Sequence, residues 1–487
     1  MTTVDATFPS GGLLIDGAWE PDSSGGHRDH VNPATGEPLV RFAMAGVAEV
    51  DRAVRSAGAA FPAWKAWPPN ERREVLLAIA RLLERDDMDL AVLRSLEIGA
   101  VLKRKRGLSM AAEYWRYYAG WCDKVEGVTI PAYPGGRALD YTRPEPYGVV
   151  AVIIPWNGAV VSAGMKVAPA LAAGNCVVLK PSELGALAAL RFGELCLEAG
   201  LPPGVLNIVP GGPDAGHALV SHPGIAKISF TGGGATARRV MAAAAEQLTP
   251  VMLELGGKSA SIVFDDADLA LASTMAVQTS VVSLSGQGCV LPTRLLVHDA
   301  VYDDVEARVT EQVRSLRMGD PFEEGVQIGP VIDEAACQRI LGVVDRARSE
   351  GAGRLLVGGG RPGGALSKGS YVEATVFGDV DRASDLAQEE IFGPVLAMIR
   401  FADEDEAVEI ANGTQYGLGG FVFTNDLRRA HRVADALDVG TVGVNAFPPM
   451  PANAPFGGVK ASGFGREGGR AGLDEYLRTK NVYVGLT

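Results

Sequence analysis

Short apolar runs alternate with longer amphipathic segments from residue 148 onward. Continuous apolar runs predict buried strands at 148–154, 176–179, 205–209 and 226–230. Segments suited to helices follow them at 160–173, 184–199, 213–221 and 235–247. This alternation predicts a parallel sheet that helices cover on both faces. Ligands of such sheets bind at the carboxyl ends of the strands, which here carry Pro155, Lys180, Pro210 and Thr231.

The remaining segments predict three further features. Residues 47–121 have mainly helical patterns, with a helix start at Asn70, and a second strand–helix alternation runs from 257 to 455. Residues 124–145 are rich in Pro and Gly and extended, and 476–487 end in an alternating strand. Strands this remote in sequence could share one protruding sheet, and its free edge would favour pairing with another subunit.

Composition indicates a globular protein with little affinity for nucleic acid. The chain has 487 residues, of which 47% are hydrophobic and 21% charged, enough for about three domains at roughly 150 residues each. Its formal net charge is −13, and an acidic surface repels phosphate backbones. We interpret the one basic run, at 103–106, as a solvated face rather than an anion site.

Cysteine and histidine usage favours a reducing compartment without metal. Residues 1–16 lack the basic and apolar regions of a secretory signal, and no stretch approaches the roughly 20 apolar residues that cross a bilayer, so we expect no membrane partner. The five cysteines are widely spaced with no Cys-x-x-Cys pair, which favours the cytoplasm and argues against disulfides or a zinc site. The six histidines lack metal-ligand spacing, so we expect no bound metal.

One cysteine and one glutamate stand in settings that favour chemistry. Cys289 ends a Gly-Gln-Gly-Cys string at 286–289, and we expect its glycines to let a substrate carbon approach the sulfur. Glu254 lies in Leu-Glu-Leu-Gly-Gly at 253–257, where partial desolvation would raise its pKa toward that of a general base. Together they predict covalent catalysis through a thioester that water then hydrolyses.

Several strings at strand ends are candidate ligand sites. The Gly-x-Gly-x-x-Gly strings at 358–363 and 463–468 lack the strand before or the helix after that a dinucleotide site requires, so we interpret both as turns. The Phe-Thr-Gly-Gly-Gly string at 230–234 follows a strand and opens a helix, whose backbone N–H groups can receive a pyrophosphate. Lys-Pro-Ser-Glu at 180–183 could bind ribose hydroxyls or simply start a helix with Ser182 as its cap. Asn157 could donate to an oxyanion or occupy a turn.

In this order, the motifs resemble the signature of the aldehyde dehydrogenase superfamily, and the resemblance covers nearly the whole chain. Further matches are Asn-Pro-Ala-Thr-Gly-Glu at 32–37, Glu-Ile-Phe-Gly-Pro-Val at 390–395, Asn-Gly-Thr-Gln-Tyr-Gly-Leu at 412–418 and Pro-Phe-Gly-Gly-Val-Lys-Ala-Ser-Gly at 455–463. The resemblance implies an aldehyde substrate, NAD as cofactor, and a homo-oligomer that is either a dimer or a tetramer.

The resemblance also implies an α/β fold of three parts. These are a Rossmann-type cofactor domain at 1–123 and 146–256, an α/β catalytic domain at 257–455, and a small β extension for oligomerisation at 124–145 and 470–487. Matching motifs imply Cys289 as the nucleophile, Glu254 as the base that activates water, and Asn157 with the Cys289 N–H as the oxyanion hole. Lys166 matches a lysine linked to proton relay in the family.

The resemblance implies contacts to the two ligands as well. Lys180 and Glu183 are implied at the adenine ribose, and Glu390 at the nicotinamide ribose. The full set of implied cofactor contacts is Ile153, Pro155, Trp156, Lys180, Glu183, Gly212, Gly216, Phe230, Gly232, Gly233, Leu255, Glu390 and Phe392. The implied substrate contacts are Gly158, Ser162, Met165, Gly288, Val290 and Phe456.

Two departures from the family pattern bear on these ligands. The family usually has Gly-Ser-Thr-x-x-Gly at the pyrophosphate helix, whereas 232–237 reads Gly-Gly-Gly-Ala-Thr-Ala, so the backbone donors remain without the serine hydroxyl. The family often has aromatic residues where this chain has Gly158 and Met165, which predicts a wide apolar tunnel. We therefore expect a bulky terpenoid, aromatic or long-chain aldehyde rather than acetaldehyde or a quaternary ammonium aldehyde. Glu183 would repel a phosphate, which favours NAD over NADP.

Three alternatives compete with this interpretation. A coenzyme A-acylating dehydrogenase would pass the thioester to a thiol and would need no base at Glu254. A non-catalytic family member would have no use for intact Cys289, Glu254 and Asn157. A thiol hydrolase without redox chemistry would need a histidine base, and none lies near either motif.

Overall fold

The computed structural model describes residues 8–103, 109–131, 137–448 and 450–486 of the chain. The basic run at 103–106 therefore lies, apart from Lys103, outside the described residues. The strands are β1 (Leu13–Ile15), β2 (Ala18–Glu20), β3 (His27–Val31), β4 (Pro38–Ala43), β5 (Thr129–Ile130), β6 (Ala138–Pro146), β7 (Val149–Ile154), β8 (Cys176–Pro181), β9 (Leu206–Ile208), β10 (Lys227–Thr231), β11 (Val251–Glu254), β12 (Ala260–Val263), β13 (Arg294–His298), β14 (Arg354–Val357), β15 (Thr375–Gly378), β16 (Val395–Phe401), β17 (Tyr416–Gly417), β18 (Gly419–Phe423), β19 (Thr441–Val444), β20 (Val459–Lys460), β21 (Gly463–Phe464) and β22 (Leu477–Gly485).

The α-helices are α1 (Val47–Ala66), α2 (Pro69–Arg85), α3 (Asp87–Ile98), α4 (Ser109–Ala119), α5 (Ala159–Ala172), α6 (Leu187–Glu198), α7 (Pro213–Val220), α8 (Gly234–Gln247), α9 (Leu269–Val277), α10 (Tyr302–Arg314), α11 (Glu334–Ser349), α12 (Asp385–Gln388), α13 (Glu404–Asn412), α14 (Leu427–Ala436) and α15 (Gly469–Asp474). Short π and 3-10 segments follow α9 at Gln278–Val282 and Ser283–Gly286.

Five parallel strands form the centre of the first sheet. Its order is β2-β1-β9-β8-β7-β10-β11-β21, in which β9 to β11 run parallel and β1, β2 and β21 add antiparallel edges. The chain winds outward from β7 in both directions, so a topological switch point lies between β7 and β10. The four predicted strands and the helices after them are present, and the segments that follow β7 and β10 flank the switch point.

A second sheet carries the rest of the strand–helix alternation. Its order is β14-β15-β16-β13-β12-β18-β19, and all neighbours run parallel except β14 with β15. Only residues 255–259 connect β11 of the first sheet to β12 of the second. Because one apolar core cluster includes residues from both sheets, this connection lies where the two α/β units pack together. The predicted α/β class is confirmed.

The two segments outside these sheets form a small sheet of their own. Strand β22 pairs with β6 in antiparallel register along its whole length, and β5 pairs with the other side of β6. Within the described ranges, no strand pairs with the other edge of the nine-residue β22, on which Tyr483 and Val484 are exposed.

The glycine string at 463–468 is more than the turn that we predicted. Its first two residues, Gly463 and Phe464, form β21 and pair with Leu253 and Glu254 at the end of β11. A side chain at Gly463 would lie 2.1 Å from the Leu253 carbonyl oxygen, so only glycine allows this approach.

Two predicted helix starts are also corrected. Helix α2 begins at Pro69 rather than Asn70, because a proline suits the first position, where no N–H partner is needed. Ser182 does not cap α6, which begins at Leu187. The buried carboxylate of Glu97 accepts hydrogen bonds from the N–H groups of Leu187 and Ala188 instead.

One helical segment of the described residues, Leu269–Gly286, is long and apolar enough to cross a bilayer by length and composition. Half of that window is buried inside the protein, and α9 packs against α10 and β12. The expectation that no apolar stretch approaches the length of a membrane span was therefore too strict. The packing of this segment is that of a core helix.

The buried guanidinium of Arg294 joins three backbone segments behind the site. The side chain is 2% exposed and donates to the carbonyls of Lys258 (2.8 Å), Ile410 (2.7 Å) and Ala411 (2.8 Å). Ile410 and Ala411 lie in the last turn of α13, whose carbonyls have no partner within the helix. Arg294 thereby fixes α13 against the connection at 255–259.

Replacing Arg294 with methionine should destabilise the protein strongly. The change leaves the buried carbonyls of Lys258 and Ala411 without a partner among the described residues, and leaves Ile410 with only a 3.3 Å bond from the Gly413 N–H. Each unsatisfied buried group costs about 1–3 kcal/mol. We expect the free energy of unfolding, measured in urea, to fall by about 3 kcal/mol or more. The control is Arg308→Met, which removes an exposed pair with Asp304 and should change stability by less than about 0.5 kcal/mol. Equal effects of the two substitutions would contradict the assignment.

Candidate active site

Cys289 lies in a tight turn that follows the irregular end of α9. The π segment and the 3-10 segment end in two non-glycine residues with left-handed backbone, Leu284 (φ 50°) and Ser285 (φ 52°). Such conformations persist only where the surroundings hold them. The turn is therefore built by contacts from outside the local sequence.

Two polar side chains supply those contacts. Ser285 Oγ donates to the Gly329 carbonyl at 2.9 Å. Gln287 Nε2 donates to the Leu284 carbonyl at 2.9 Å, and Gln287 Oε1 accepts from the Ile332 N–H at 2.9 Å. Because Gln287 is almost fully buried, the turn that carries the thiol is fixed from inside the protein.

The glycines beside Cys289 have a different role from the one we expected. A side-chain carbon on Gly286 would lie 2.0 Å from the Gly393 carbonyl oxygen, and one on Gly288 would lie 2.9 Å from Leu291 Cγ. Gly286 also has a left-handed φ of 75°. Glycine is thus required at 286 for backbone packing rather than for access of a substrate.

Asn157 reaches the cysteine turn from the first sheet. It follows β7 at the switch point, and its Nδ2 donates to the Gln287 carbonyl at 3.0 Å. A carboxamide has two N–H groups, so one remains for a ligand. The contact joins the carboxyl end of the first sheet to the turn that carries the thiol.

Glu254 is a buried carboxyl group without a hydrogen-bond partner among the described residues. It ends β11 and is 3% exposed. Burial, and then the charge of Glu467, raises the pKa of Glu254 well above its usual range, whereas Lys166 and Arg466 oppose the rise. The group therefore keeps its proton to higher pH than an ordinary glutamate does, and its deprotonated form is the stronger base.

Burial also raises the pKa of the Cys289 thiol to about 12, and the carboxyl groups of Glu390 and Glu254 add to the shift. The Cys289 backbone N–H opposes it. Cys289 is partly exposed, whereas the other four cysteines are buried.

Lys166 pairs with a glutamate that the sequence did not single out. The Lys166 ammonium lies 2.6 Å from Glu467 Oε1, and the two side chains are 0% and 4% exposed. Glu467 is positioned by Phe456, because the two residues exchange backbone hydrogen bonds of 2.7 Å in both directions. The substrate candidate Phe456 and the acidic partner of Lys166 therefore share one local structure.

The candidate adenine end lies between β8 and α7. Lys180 is buried in β8, and burial lowers the pKa of its ammonium while Glu183 opposes the shift. The ammonium has no hydrogen bond with another described residue. Gly216 lies beside it, with 3.5 Å between Lys180 Cε and the position of a Gly216 side chain, and the corresponding position at Gly212 is open.

The candidate pyrophosphate end is the start of α8. Gly232 and Gly233 precede the helix, the side-chain position at Gly233 is open, and the Phe230 ring packs under Gly232. The hydroxyl of Thr231 has no partner among the described residues. Register pairs Phe230 with Ile153 in β7, which in turn pairs with Lys180 in β8, so the three cofactor candidates share one edge of the sheet.

A third carboxyl group, that of Glu390, lies at the connection between the two sheets. Glu390 Oε1 accepts from the Gly257 N–H at 3.2 Å, and a side chain at Gly256 would meet Glu390 Oε2 at 2.0 Å. Burial raises the pKa of Glu390 to about 7. Phe392 has a left-handed φ of 53°, and its ring stands perpendicular to Trp156 with 5.7 Å between centroids. The neighbouring Leu255 is held by an N–H bond to the Ser462 carbonyl, 3.0 Å long.

The residues at the start of α5 leave open space. Gly158 precedes the helix, and a side chain there would lie 3.9 Å from Ser162 Oγ. Met165, one turn further, is buried. Val290, the residue after Cys289, and Phe421 meet around Gly419, at 2.9 Å and 3.5 Å from its side-chain position.

Phe421 belongs to an aromatic pair that the sequence did not predict. The rings of Phe421 and Phe447 stack with 5.0 Å between centroids and 20° between planes. Asn445, with φ 52°, clasps the backbone of Thr424: its Oδ1 accepts from the Thr424 N–H (3.1 Å), and its Nδ2 donates to the Thr424 carbonyl (2.9 Å). This clasp holds the loop that carries Phe447.

The chain matches the aldehyde dehydrogenase family across residues 19–482. Betaine aldehyde dehydrogenase of Cereibacter sphaeroides is 42% identical over 480 residues, which cover 98% of each chain. The crystal structure of PnpE from Pseudomonas sp. WBC-3 has a TM-score of 0.94 at 40% identity and covers 97% of each chain, and PnpE has also been solved with nicotinamide adenine dinucleotide. The chain belongs to the aldehyde dehydrogenase family.

A second NAD complex supports the cofactor. Betaine aldehyde dehydrogenase of Staphylococcus aureus with NAD+ has a TM-score of 0.95 at 36% identity and covers 98% of this chain and 95% of its own. The protein is an NAD-dependent aldehyde dehydrogenase, and the predicted family, fold and cofactor are confirmed. Among the described residues, no group of three His, Cys, Asp or Glu side chains could hold a metal ion.

The cofactor candidates of this aldehyde dehydrogenase fit NAD on chemical grounds. The buried ammonium of Lys180 and the carboxyl group of Glu390 suit ribose hydroxyls, and the helix start with an open side-chain position at Gly233 suits a pyrophosphate. The residues of the site that sequence reasoning did not single out are Glu467, Phe421 and Asn445.

Alkylation of Cys289 in the free enzyme should depend steeply on pH. With a thiol pKa of about 12, the thiolate fraction should rise about tenfold per pH unit up to pH 10. We expect the rate of labelling by iodoacetamide, followed by peptide mass spectrometry from pH 6 to 10, to rise without a plateau. The buried Cys122, Cys176, Cys196 and Cys337 are internal controls that should label slowly. A plateau between pH 7 and 8 would show that the thiol is activated before ligands bind.

Proposed function

We propose that this enzyme oxidises a bulky hydrophobic aldehyde to the carboxylic acid through a thioester on Cys289. The observation that carries the chemistry is the 3.0 Å contact between Asn157 Nδ2 and the Gln287 carbonyl. It brings a hydrogen-bond donor from the first sheet to the turn of a partly exposed thiol. Glu254, whose pKa is raised, lies close enough to affect the same thiol.

The first step is attack by Cys289 Sγ on the aldehyde carbon. The thiolate is the reactive form, and the Cys289 backbone N–H is the group that favours it. As the S–C bond forms, the carbonyl oxygen takes the negative charge. The second N–H of Asn157 and the Cys289 N–H are the donors that would receive this oxyanion.

The residues proposed to hold NAD divide along its length. Lys180 and Glu183 would bind the adenine ribose, the start of α8 at Gly232 and Gly233 the pyrophosphate, and Glu390 the nicotinamide ribose. When bound, NAD supplies the acceptor for the hydride that leaves the aldehyde carbon. The perpendicular Phe392 and Trp156 rings would keep water from that end of the site.

Glu254 is the residue proposed to hydrolyse the thioester. In its deprotonated form it takes a proton from water, whose oxygen bonds to the thioester carbon as the C–S bond breaks. Its raised pKa makes it a stronger base than an exposed carboxylate. A base at this position distinguishes hydrolysis from transfer of the acyl group to coenzyme A.

The proposed substrate class follows from the walls of the site. Gly158 and Ser162 leave space on the α5 side, while Met165, Val290, Phe456 and the Phe421–Phe447 pair are apolar. Burial of a large apolar aldehyde gains about 0.8 kcal/mol per methylene group. The small residues at 158 and 162 also remove two positions from which rings could surround a quaternary ammonium group.

Betaine aldehyde is the second candidate, because relatives at 42% identity carry that name. The Phe421–Phe447 stack would present one aromatic face to a cation. Turnover of the two substrate classes by one preparation separates the candidates.

Assembly and compartment complete the proposal. We propose that the unpaired edge of β22 pairs with another subunit, because a free nine-residue edge with exposed Tyr483 and Val484 is suited to strand addition. The sheet of β5, β6 and β22 would then be the oligomerisation extension at 124–145 and 470–487, beside a cofactor domain at 1–123 and 146–256 and a catalytic domain at 257–455. All five cysteines are free, which is consistent with a reducing cytoplasm.

Activity should rise with the apolar size of the aldehyde. We expect kcat/KM, from NADH formation, to be at least about tenfold higher for citral or benzaldehyde than for acetaldehyde, since several additional methylene-sized groups are buried. Betaine aldehyde should be turned over less well than citral. Cys289→Ala is the control and should abolish every signal. Higher kcat/KM for acetaldehyde or betaine aldehyde would contradict the proposed class.

Glu254→Gln should separate thioester formation from hydrolysis. We expect a rapid burst of about one NADH per site to survive, while steady-state turnover falls by about 10²–10⁴-fold because the base is lost. In the wild type, hydrolysis should increase as pH rises through the raised pKa of Glu254, since only the deprotonated form accepts a proton. Stopped-flow absorbance measures both phases. If the burst is lost and the steady-state turnover still falls by the same factor, Glu254 acts in the first step instead.

A further inference from the structure

Strand β10 carries polar residues where a central parallel strand usually has none. Lys227, Ser229 and Thr231 alternate with Ile228 and Phe230, so the three polar side chains share one face of the strand. Strands buried on both faces of a parallel sheet are typically apolar throughout. Because unsatisfied buried polar groups are costly, this polar face requires partners or a function.

The polar face runs from Glu254 toward the surface. Register places Thr231 opposite Glu254 in β11. Two residues further back is Ser229, and at the other end the Lys227 ammonium lies 2.9 Å from Glu475 Oε2. The Glu475 side chain is 23% exposed and so contacts solvent.

Ser229 is the centre of this polar face. Its Oγ accepts a hydrogen bond of 2.9 Å from the Lys166 ammonium and one of 3.1 Å from the Tyr476 hydroxyl. The same ammonium pairs with Glu467. All four side chains of this group are buried: Lys166, Ser229, Glu467 and Tyr476. Water therefore does not replace the hydrogen bonds that they make with one another.

Tyr476 is itself held in place by a buried asparagine. Asn175 Nδ2 donates to the Tyr476 carbonyl (3.0 Å) and to the Ala170 carbonyl at the end of α5 (3.1 Å), while Asn175 Oδ1 accepts from the Gly148 N–H (3.0 Å). The Tyr476 backbone is thus tied to the helix that carries Lys166. Burial raises the pKa of Tyr476, so its hydroxyl stays protonated and acts as a donor.

We propose that Ser229 and Tyr476 are positioning residues that hold the Lys166 ammonium against Glu467, and that the place of this ammonium sets how readily Glu254 releases the proton it gains in each hydrolysis. The inference rests on the proposed thioester hydrolysis. There, an O–H bond of water breaks, its oxygen bonds to the acyl carbon, the C–S bond breaks, and the proton goes to a Glu254 oxygen. Glu254 must lose that proton before the next turnover.

Several ionisable groups surround Lys166 and contribute to the pH dependence of hydrolysis. Glu254 lies on β11, Glu467 and Arg466 lie before α15, Glu475 follows α15, and Lys227 is on β10. The tyrosines of α4, Tyr114 and Tyr118, also face this group, and burial raises the pKa of each. Lys166 is the cation that lowers the pKa of Glu254 most, so its displacement should raise that pKa.

The test compares Tyr476→Phe and Ser229→Ala in the full-length enzyme. p-Nitrophenyl acetate acylates a reactive thiol without NAD or an aldehyde, so the burst of p-nitrophenol reports acylation and the following steady state reports hydrolysis. We expect hydrolysis to fall about tenfold in each variant, with its acid limb displaced to higher pH, while the burst rate changes less than about twofold. The control is Tyr371→Phe, which removes an equally buried hydroxyl that bonds only the Gly319 carbonyl, 3.1 Å away.

The possible outcomes of this test separate the inference from the proposed function. Unchanged hydrolysis and pH profile in a folded Ser229→Ala variant would overturn the inference, and this variant decides alone if Tyr476→Phe does not fold. The same profile change in Tyr371→Phe would also overturn it, because the effect would then be general loss of packing. A wild type without acyl-enzyme hydrolysis would refute the proposed function and the inference together. A wild type that hydrolyses the ester but oxidises no bulky aldehyde would refute the substrate class alone.

Discussion

Desolvation of the ionisable groups around Cys289 is the constraint on which the rest of the site depends. Glu254 is buried, Cys289 and Glu390 are partly buried, and each pKa is raised because the charged form is disfavoured. A charged side chain is stable in a desolvated site only beside an oppositely charged or hydrogen-bonding group. The buried pair of Lys166 with Glu467 meets that condition, because a third group, Ser229, satisfies another of the ammonium hydrogens.

Close backbone approach is what keeps water out. The side-chain positions of Gly256 and Gly457 lie 2.0 Å and 2.6 Å from carboxylate oxygens of Glu390 and Glu254, respectively. Any larger residue at either position would displace the carboxyl group beside it. These two glycines are therefore part of the electrostatics of the site, because they let the backbone pack directly against the acidic groups.

The amino-acid sequence predicts the parts of the structure that depend on neighbours in the chain. The four strands from 148 to 230 and their helices follow from local hydrophobic runs, and Asn157 and Lys180 follow from their places at strand ends. Glu467 could not be found this way, because its partner Lys166 lies on a helix of another part of the chain. Ser182 misled for the same reason: a distant carboxylate, that of Glu97, bonds the first N–H groups of α6 instead.

The loop from 446 to 455 is bracketed by two anchors of different origin. At one end Asn445 clasps the backbone of Thr424, and at the other Phe456 exchanges backbone bonds with Glu467. Neither anchor uses a side chain from inside the loop. Because both anchors lie outside the loop, its sequence could be replaced as a cassette while the two points that hold its ends stay in place.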